Sequence, residues 1–157
     1  PEAKNNLALG KTYTLNKTPN YQGCENPAGD LKKLTDGNIS KGDAPIWFDK
    51  ENTVGICGDN VEVSIDLGKT DTIRKIFIHT AAGASDVTLP KSIKIFASED
   101  GKAFQLAGEW KSEAPEAAGY KTHSIVVPVK NINAKYVRIT FTGAYYFFCD
   151  EIAVTGN

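Results

Sequence analysis

Alternation of apolar and polar residues is the strongest signal along this chain. From Val61 to Leu67 every second residue is apolar and the residues between are polar or charged. This period of two is expected of a strand with one buried face. Runs rich in β-branched and aromatic residues predict further strands at 73–80, 92–98, 104–110, 123–129, 136–142 and 147–154. With no convincing helical segment between them, the pattern favours an antiparallel sandwich or barrel.

Turn residues separate these predicted strands. We expect the segment 66–69, Asp-Leu-Gly-Lys, to end the first strand. We expect Asp100 and Gly101 to form a hairpin turn, because an Asp-Gly pair tolerates the positive φ that such turns require. Residues 16–60 differ, since they are rich in Asn, Gly, Pro and Asp and have little periodicity. A long irregular stretch in a compact domain is usually functional or is held by contacts other than a strand ladder.

Length and charge limit the classes of protein to which the chain can belong. Its 157 residues are enough for one domain, so we interpret residues 1–157 as a single domain. Eighteen Lys and Arg residues nearly balance 19 Asp and Glu residues, which argues against a nucleic-acid partner. No apolar run approaches the roughly 20 residues of a transmembrane segment. Because the chain starts at Pro1 and contains no Met, either a leader was removed or the chain is a piece of a longer protein, and we expect the second.

Three cysteines leave the thiol chemistry open. Either Cys24 and Cys57, which lie in loop-like segments, form a disulfide, or all three cysteines are free. Cys149 lies in an apolar run and is expected to be a small buried hydrophobic residue.

Catalytic patterns are weak in this sequence. His79 and His123 are the two histidines, and neither lies near a nucleophile motif. Asp150 and Glu151 are adjacent, and neighbours on a regular strand point to opposite faces, so they cannot flank one glycosidic bond. We therefore expect no enzyme active site in this chain.

Acidic residues in the irregular region suggest a metal site. Asp36 lies in a tight turn with Gly37, Asp43 follows it, and Asp150 and Glu151 lie near the end of the chain. Calcium takes six to eight oxygen ligands, and irregular loops expose backbone carbonyl groups. The alternative is that Asp36 is only a turn former, a common role of Asp before Gly.

Aromatic residues outside the clear strands suggest a saccharide site. Tyr21, Trp47, Tyr145 and Tyr146 are candidates, because a flat ring can stack on the apolar face of a sugar. For Trp47 and its neighbour Phe48 the alternative is a packing role in the core or a loop. His79 could donate to a ligand hydroxyl or could be a surface residue without a role.

Several short motifs occur in an order that resembles the discoidin family. This family is also called coagulation factor 5/8 type C domains, and its bacterial members include the family 32 carbohydrate-binding modules. The matching segments are residues 6–11, 34–37, Trp47, 66–68, 93–98 with 100–104, 134–139 and 150–154. The resemblance spans nearly the whole chain and implies an antiparallel jelly-roll β-sandwich of about eight main strands, galactose-binding-domain-like in architecture.

The resemblance also implies a structural calcium ion beside the Asp-Gly turn. Asp36 and Glu151 would give side-chain oxygens to the ion. Backbone carbonyls would come from Lys33, Asn38, Asp150 and a residue near Asp43.

The leading hypothesis from this resemblance is a noncatalytic carbohydrate-binding module. It would direct a covalently linked, glycan-degrading catalytic domain to its glycan at an extracellular, periplasmic or cell-surface location. Tyr21, His79, Tyr145 and Tyr146 are the ligand-binding candidates by loop position. The rival hypotheses are a protein- or lipid-binding discoidin adhesion domain and a spacer that has no ligand.

Overall fold

The described part of the computed structural model, residues 5–113 and 118–156, is almost entirely β-structure. Seven strands lie in these ranges: β1 (Tyr13–Leu15), β2 (Val54–Cys57), β3 (Val61–Ala82), β4 (Ser92–Ser98), β5 (Gln105–Lys111), β6 (Lys121–Thr142) and β7 (Tyr146–Gly156). Two single-turn 3₁₀ helices, Lys33–Thr35 and Ile46–Phe48, precede β2. Neither has the length or apolar character that crossing a membrane would require. The prediction of an all-β antiparallel fold is confirmed.

Two long strands, β3 and β6, each replace a pair of predicted strands. They pair with one another from Val61 to Ala82, with register shifts between Asp66 and Asp71 and between Ile73 and Lys75. The prediction that the chain leaves the strand at 66–69 is therefore wrong. Gly68 takes a φ of 82°, and its N–H donates to Asp66 Oδ1 at 2.8 Å, so the backbone bends here without ending the strand.

This bend divides the sheet into the two layers of a sandwich. In the first layer, residues 61–66 of β3 pair with β1 and with β6, and β6 pairs with β4, which pairs with β5. In the second layer, residues 73–82 of β3 lie between the first half of β6 and β7, and β7 pairs with β2. The predicted jelly-roll sandwich is confirmed.

The main core lies between the two layers and follows the sequence alternation. In β3 the inward residues from Val61 to Leu67 are buried, and the intervening residues are partly exposed. β6 and β4 contribute Val137, Ile139, Ile93 and Ile95, none of which has accessible surface. The period of two therefore predicted correctly which residues form this core.

A second apolar cluster lies where the irregular segment packs on the fold. Cys24, Ile46 and Trp47 from this segment are buried together with Ala81 and Phe148. Gly55 in β2 permits the approach, because a Cβ atom there would lie 2.5 Å from Cys24 Sγ and 2.9 Å from Tyr21 Cβ. The second cluster is therefore built by contacts between residues far apart in sequence.

The irregular segment is also held by a buried charge. Lys33 is 2% exposed, and its ammonium nitrogen lies 2.6 Å from Asp30 Oδ1. The same Nζ donates to the carbonyl oxygens of Cys24 at 3.0 Å and Thr53 at 2.8 Å. All three donors of the ammonium group therefore have partners, and one side chain joins three parts of the segment.

The three cysteines are free thiols in this structure. Of the two alternatives, the structure therefore has the free thiols and not the Cys24–Cys57 disulfide, and Cys24 Sγ packs against Gly55, two residues before Cys57 on the same strand. Cys149 is completely buried, as expected of a small apolar side chain.

Candidate functional site

A β-bulge near the end of the chain brings two carboxylates to one loop. His79 pairs with Glu151 and Thr80 pairs with Cys149, so Asp150 has no partner in the ladder. The Gly37 N–H donates to Glu151 Oε2 at 2.9 Å, and the Ser40 N–H donates to Asp150 Oδ2 at 2.8 Å. The expectation that Asp150 and Glu151 point to opposite faces is therefore wrong, because it assumed a regular strand.

Asp150 is fully buried and its carboxylate is engaged on both sides. Besides the Ser40 N–H, it contacts His79 Nδ1 at 2.6 Å through Oδ1. His79 thus lies beside the acidic residues. It is not at the end of a strand as predicted, since β3 continues to Ala82.

The environment of the Glu151 carboxylate favours the binding of a cation. Its Oε1 atom is buried and has no hydrogen-bond partner within the described residues. Burial, together with the nearby negative charge of Asp36, raises the pKa of Glu151 to about 8. A hard cation would compensate both effects, because it would give Oε1 a partner and would offset the repulsion between the carboxylates.

Of the other predicted metal ligands, Asn38 lies close to Asp36 and Asp43 does not. The Asn38 N–H donates to Asp36 Oδ1 at 2.9 Å, so Asn38 lies in the same turn. Asp43 is exposed, and in the described structure it makes no hydrogen bond to this turn or to Glu151. Within residues 5–113 and 118–156 no three His, Cys, Asp or Glu side chains surround a common metal position. A cation here would need backbone carbonyls in addition to Asp36 and Glu151.

A separate row of aromatic rings includes three of the predicted ligand-binding residues. The rings of Tyr145 and Tyr146 lie 4.9 Å apart edge to face, and the Tyr21 ring lies 6.1 Å from that of Tyr146. Phe48 approaches the same place, since its ring and the Tyr21 ring both lie against Gly23. We call Tyr21, Phe48, Tyr145 and Tyr146 the aromatic surface. Tyr145 is 64% exposed and Phe48 is 59% exposed.

Trp47 and Phe48 have opposite environments. Trp47 is 1% exposed and packs edge to face on Tyr120 at 5.2 Å, so its proposed role as a sugar-stacking ring is wrong. The alternative of a packing role, given for both residues, thus applies to Trp47, and Phe48 is the exposed one. The single-turn helix Ile46–Phe48 directs Ile46 and Trp47 to the second cluster and leaves Phe48 outside. Two adjacent aromatic residues in an aperiodic segment carry no sequence signal that could distinguish them.

The loop that carries Tyr145 is held in place by hydrogen bonds. The Gly58 N–H donates to Tyr145 O at 2.6 Å, and the Gly143 N–H donates to Asp59 Oδ1 at 2.8 Å. Backbone N–H groups of Asn60 and Gly143 lower the pKa of Asp59, which therefore accepts these bonds as a carboxylate. The exposed ring of Tyr145 is thus presented by an ordered loop between β6 and β7.

Two lysines lie next to this β6–β7 loop in the folded chain. The aliphatic stem of Lys91 packs against Gly143, where a Cβ atom would lie 2.5 Å from Lys91 Cβ. The Lys17 ammonium group donates to the carbonyl oxygen of Asp59. Sequence inspection missed both lysines, because they are far from Tyr145 along the chain.

The chain matches a known protein family over most of its length. The model of the F5/8 type C domain matches residues 10–152, which is most of the chain. No curated protein matches the chain at a significant level.

Solved structures of similar fold include several sugar-binding domains. A family 32 carbohydrate-binding module from Clostridium perfringens, in complex with GalNAc-β-1,3-galactose, superposes with a TM-score of 0.61 at 14% identity, covering 94% of this chain and 96% of that one. A chitosan-binding module from a chitosanase/glucanase of a Paenibacillus species gives 0.62 at 19% identity, covering 96% and 98%. A fucose-binding module from Streptococcus pneumoniae gives 0.62 at 17% identity, covering 97% and 98%. At these identities the likeness establishes the fold.

Proposed function

Since this chain belongs to the F5/8 type C domain family, we propose that it is a noncatalytic carbohydrate-binding module. It would hold a covalently linked, glycan-degrading enzyme at its glycan. Three domains of similar fold are named for the saccharides that they bind, and this supports the proposal. One of them derives from a chitosanase/glucanase. The location that fits this role is extracellular, periplasmic or at the cell surface.

The observation that carries the proposal is the aromatic surface. Exposed large rings are costly to leave in water, because burial of apolar area stabilises by roughly 25 cal/mol per Å². Phe48 and Tyr145 nevertheless remain more than half exposed on an ordered part of the fold. Rings of this kind give a sugar an apolar face to stack on, and the Tyr hydroxyls provide hydrogen bonds for its polar edge.

Calorimetric titration after a glycan-array screen would test this proposal. With calcium present, we expect saccharide binding in the micromolar to millimolar range, and roughly tenfold weaker binding by Tyr145→Ala and by Phe48→Ala. Leu106→Ala is the control, because Leu106 is 45% exposed but lies on β5 outside the aromatic surface. Absence of saccharide binding at millimolar concentration would refute the proposal, and turnover of a chromogenic glycoside would refute its noncatalytic part.

The proposal includes a structural calcium ion between the Asp36 turn and β7. Asp36 and Glu151 would give carboxylate oxygens, and Lys33, Asn38 and Asp150 would give backbone carbonyls. The buried, unpartnered Oε1 of Glu151 supports this assignment. When bound, the ion would supply positive charge that joins the irregular segment to the last strand. Among the described residues Asp43 makes no contact that supports a role as a ligand, so it is left out of the set.

One observation supports a lipid-binding alternative. Membrane-binding sites combine exposed apolar side chains with basic residues, and Lys17 and Lys91 lie beside the β6–β7 loop that carries Tyr145. Sedimentation with vesicles of phosphatidylserine and phosphatidylcholine would separate the two functions. Salt-sensitive vesicle binding that Lys91→Ala weakens, without saccharide binding, would favour the alternative.

A further inference from the structure

Two turns cross between the layers of the sandwich where the chain carries Tyr145. The β2–β3 turn, residues 58–60, joins β2 in the second layer to the start of β3 in the first layer. The β6–β7 loop, residues 143–145, joins the end of β6 in the first layer to the start of β7 in the second. Because β2 pairs with the start of β7, and the start of β3 pairs with the end of β6, the two turns face one another.

The Asp59 carboxylate joins these two turns. Its Oδ1 atom accepts the N–H of Asn60 in its own turn at 2.7 Å and the N–H of Gly143 in the facing loop at 2.8 Å. These two N–H groups and, to a smaller extent, that of Ala144 lower the pKa of Asp59. A chain that passes from one layer to the other leaves the strand ladder, so its backbone N–H groups need other acceptors. One charged side chain therefore supplies the acceptor for both turns.

The turn that carries Asp59 is itself held by the segment that follows β1. The Lys17 ammonium group donates to the carbonyl oxygen of Asp59. The side-chain amide of Asn16 donates to Asn60 O at 2.8 Å and accepts the N–H of Glu62 at 2.7 Å. The β2–β3 turn is thus fixed from one side and holds the β6–β7 loop on the other.

The same stretch of chain also holds the opposite side of the aromatic surface. The N–H groups of Asn20 and Tyr21 donate to Gly55 O at 3.1 and 3.2 Å, and the Cys57 N–H donates to Asn20 Oδ1 at 2.8 Å. Tyr21 is therefore attached to β2, and Tyr145 is attached to the turn that follows β2. The spacing of their rings depends on this turn, although the turn carries no aromatic residue.

From this arrangement we infer that Asp59 is a positioning residue for saccharide binding at the aromatic surface. The inference rests on the proposed function and adds a residue that acts through the β6–β7 loop. Without the carboxylate, the loop and the Tyr145 ring would have to become ordered when the sugar binds. This loss of conformational freedom would reduce the affinity by roughly tenfold.

The order of the loop is the first test, and it requires no ligand. Asp59 is exposed, so Asp59→Ala should fold, and its ¹⁵N relaxation should give an order parameter at Tyr145 below about 0.6, against about 0.85 for rigid backbone. Asp59→Asn should keep the loop ordered, because its amide oxygen can accept the same N–H groups. An unchanged order parameter at Tyr145 in Asp59→Ala would overturn the inference.

Asp100→Ala is the matched control. Asp100 Oδ1 accepts the N–H groups of Lys102 and Ala103 at 2.8 and 3.0 Å, so this carboxylate also organises a turn. That turn, between β4 and β5, lies at the opposite end of β4 from the β6–β7 loop. Asp100→Ala should therefore leave the order parameter of Tyr145 and the affinity for saccharide unchanged. A change in either as large as that in Asp59→Ala would overturn the inference.

Calorimetric titration with a saccharide identified on the glycan array tests the effect on binding. We expect roughly tenfold weaker binding by Asp59→Ala, and binding by Asp59→Asn within about threefold of the unmodified chain. Normal binding by Asp59→Ala would overturn the inference and leave the proposed function intact. Absence of saccharide binding by the unmodified chain would refute the proposed function and, with it, the inference.

A double-mutant cycle distinguishes positioning from direct contact with the sugar. If Asp59 acts by holding Tyr145 in place, its substitution has little further effect once the ring is absent. We therefore expect the combined variant Asp59→Ala with Tyr145→Ala to bind about as weakly as Tyr145→Ala alone. Independent losses that multiply to roughly a hundredfold would mean that Asp59 contacts the saccharide itself, and would overturn the positioning role.

Discussion

The core between the layers and the irregular segment that covers part of the fold both contain buried residues, but they are stabilised differently. In the core, many aliphatic side chains share the stabilisation, and each neighbour is set by the strand register. In the covering segment, residues 20–53, a few contacts hold the chain: the Lys33–Asp30 pair, the crossing at Gly55 and the turn around Asp36. Loss of one contact should therefore be costly in the covering segment and modest in the core.

The largest expected effect follows loss of the Lys33 ammonium group. Lys33→Ala leaves the Asp30 carboxylate buried without its counter-charge and removes the donor to Cys24 O and Thr53 O. We expect the free energy of unfolding to fall by about 3–5 kcal/mol, measured by urea denaturation. Lys32→Ala is the control, since Lys32 is exposed, and should change stability by less than about 0.5 kcal/mol. If the free energy of unfolding of Lys33→Ala fell by less than about 1 kcal/mol, Lys33 would not be one of the residues that hold the segment in place.

Removal of calcium should have the next largest effect. An ion that binds only the folded chain stabilises it by about 2.7 kcal/mol at 100 times its dissociation constant. For a domain of this size, chelation should then lower the melting temperature by roughly 5–10 °C in differential scanning calorimetry. Asp36→Ala should abolish the difference between the chelated and calcium-loaded samples, and Asp43→Ala should retain it. An unchanged melting temperature after chelation would contradict the proposal of a bound calcium ion.

Substitution of Gly55 tests the close contact between β2 and the covering segment. A methyl group there would meet Cys24 Sγ and Tyr21 Cβ, so Gly55→Ala should cost about 1–3 kcal/mol through overpacking. Gly29→Ala is the matched control, because a Cβ at Gly29 meets its nearest atom at 3.4 Å and its φ is not positive. Urea denaturation of the two variants measures the difference, and equal stability would show that the covering segment can move away from β2.

The smallest effect is expected in the interlayer core. Ile139→Val removes one methylene from a residue with no accessible surface and should cost about 0.5–1.5 kcal/mol. The surrounding aliphatic side chains remain in place, so the rest of the core keeps its stabilisation. If this substitution destabilised the chain as much as Lys33→Ala, the contrast between the two regions would be lost.

The prediction of strands succeeded where one face of the strand is buried and the other is not. The period of two from Val61 to Leu67 and the bounds of β4 at 92–98 agree with the structure. β1 and β2 were missed, because they are only three and four residues long, and β2 is buried at three successive residues. Asp36 and Glu151 were predicted as calcium ligands through the family resemblance. In the structure the loop that carries Asp36 contacts β7 at Glu151.

Local sequence patterns were enough to predict the β class, the inward face of the long strands and the family order of motifs. The packing of distant segments, in contrast, buries Trp47, exposes Phe48, places the Lys33 ammonium group in the interior, and brings Lys17 and Lys91 to the loops around Tyr145. The physical reason is that side-chain alternation arises from the geometry of a single strand, so it can be read from neighbouring residues. The environments of Trp47, Phe48 and Lys33 arise from contacts with residues distant in sequence, and no local pattern encodes those contacts.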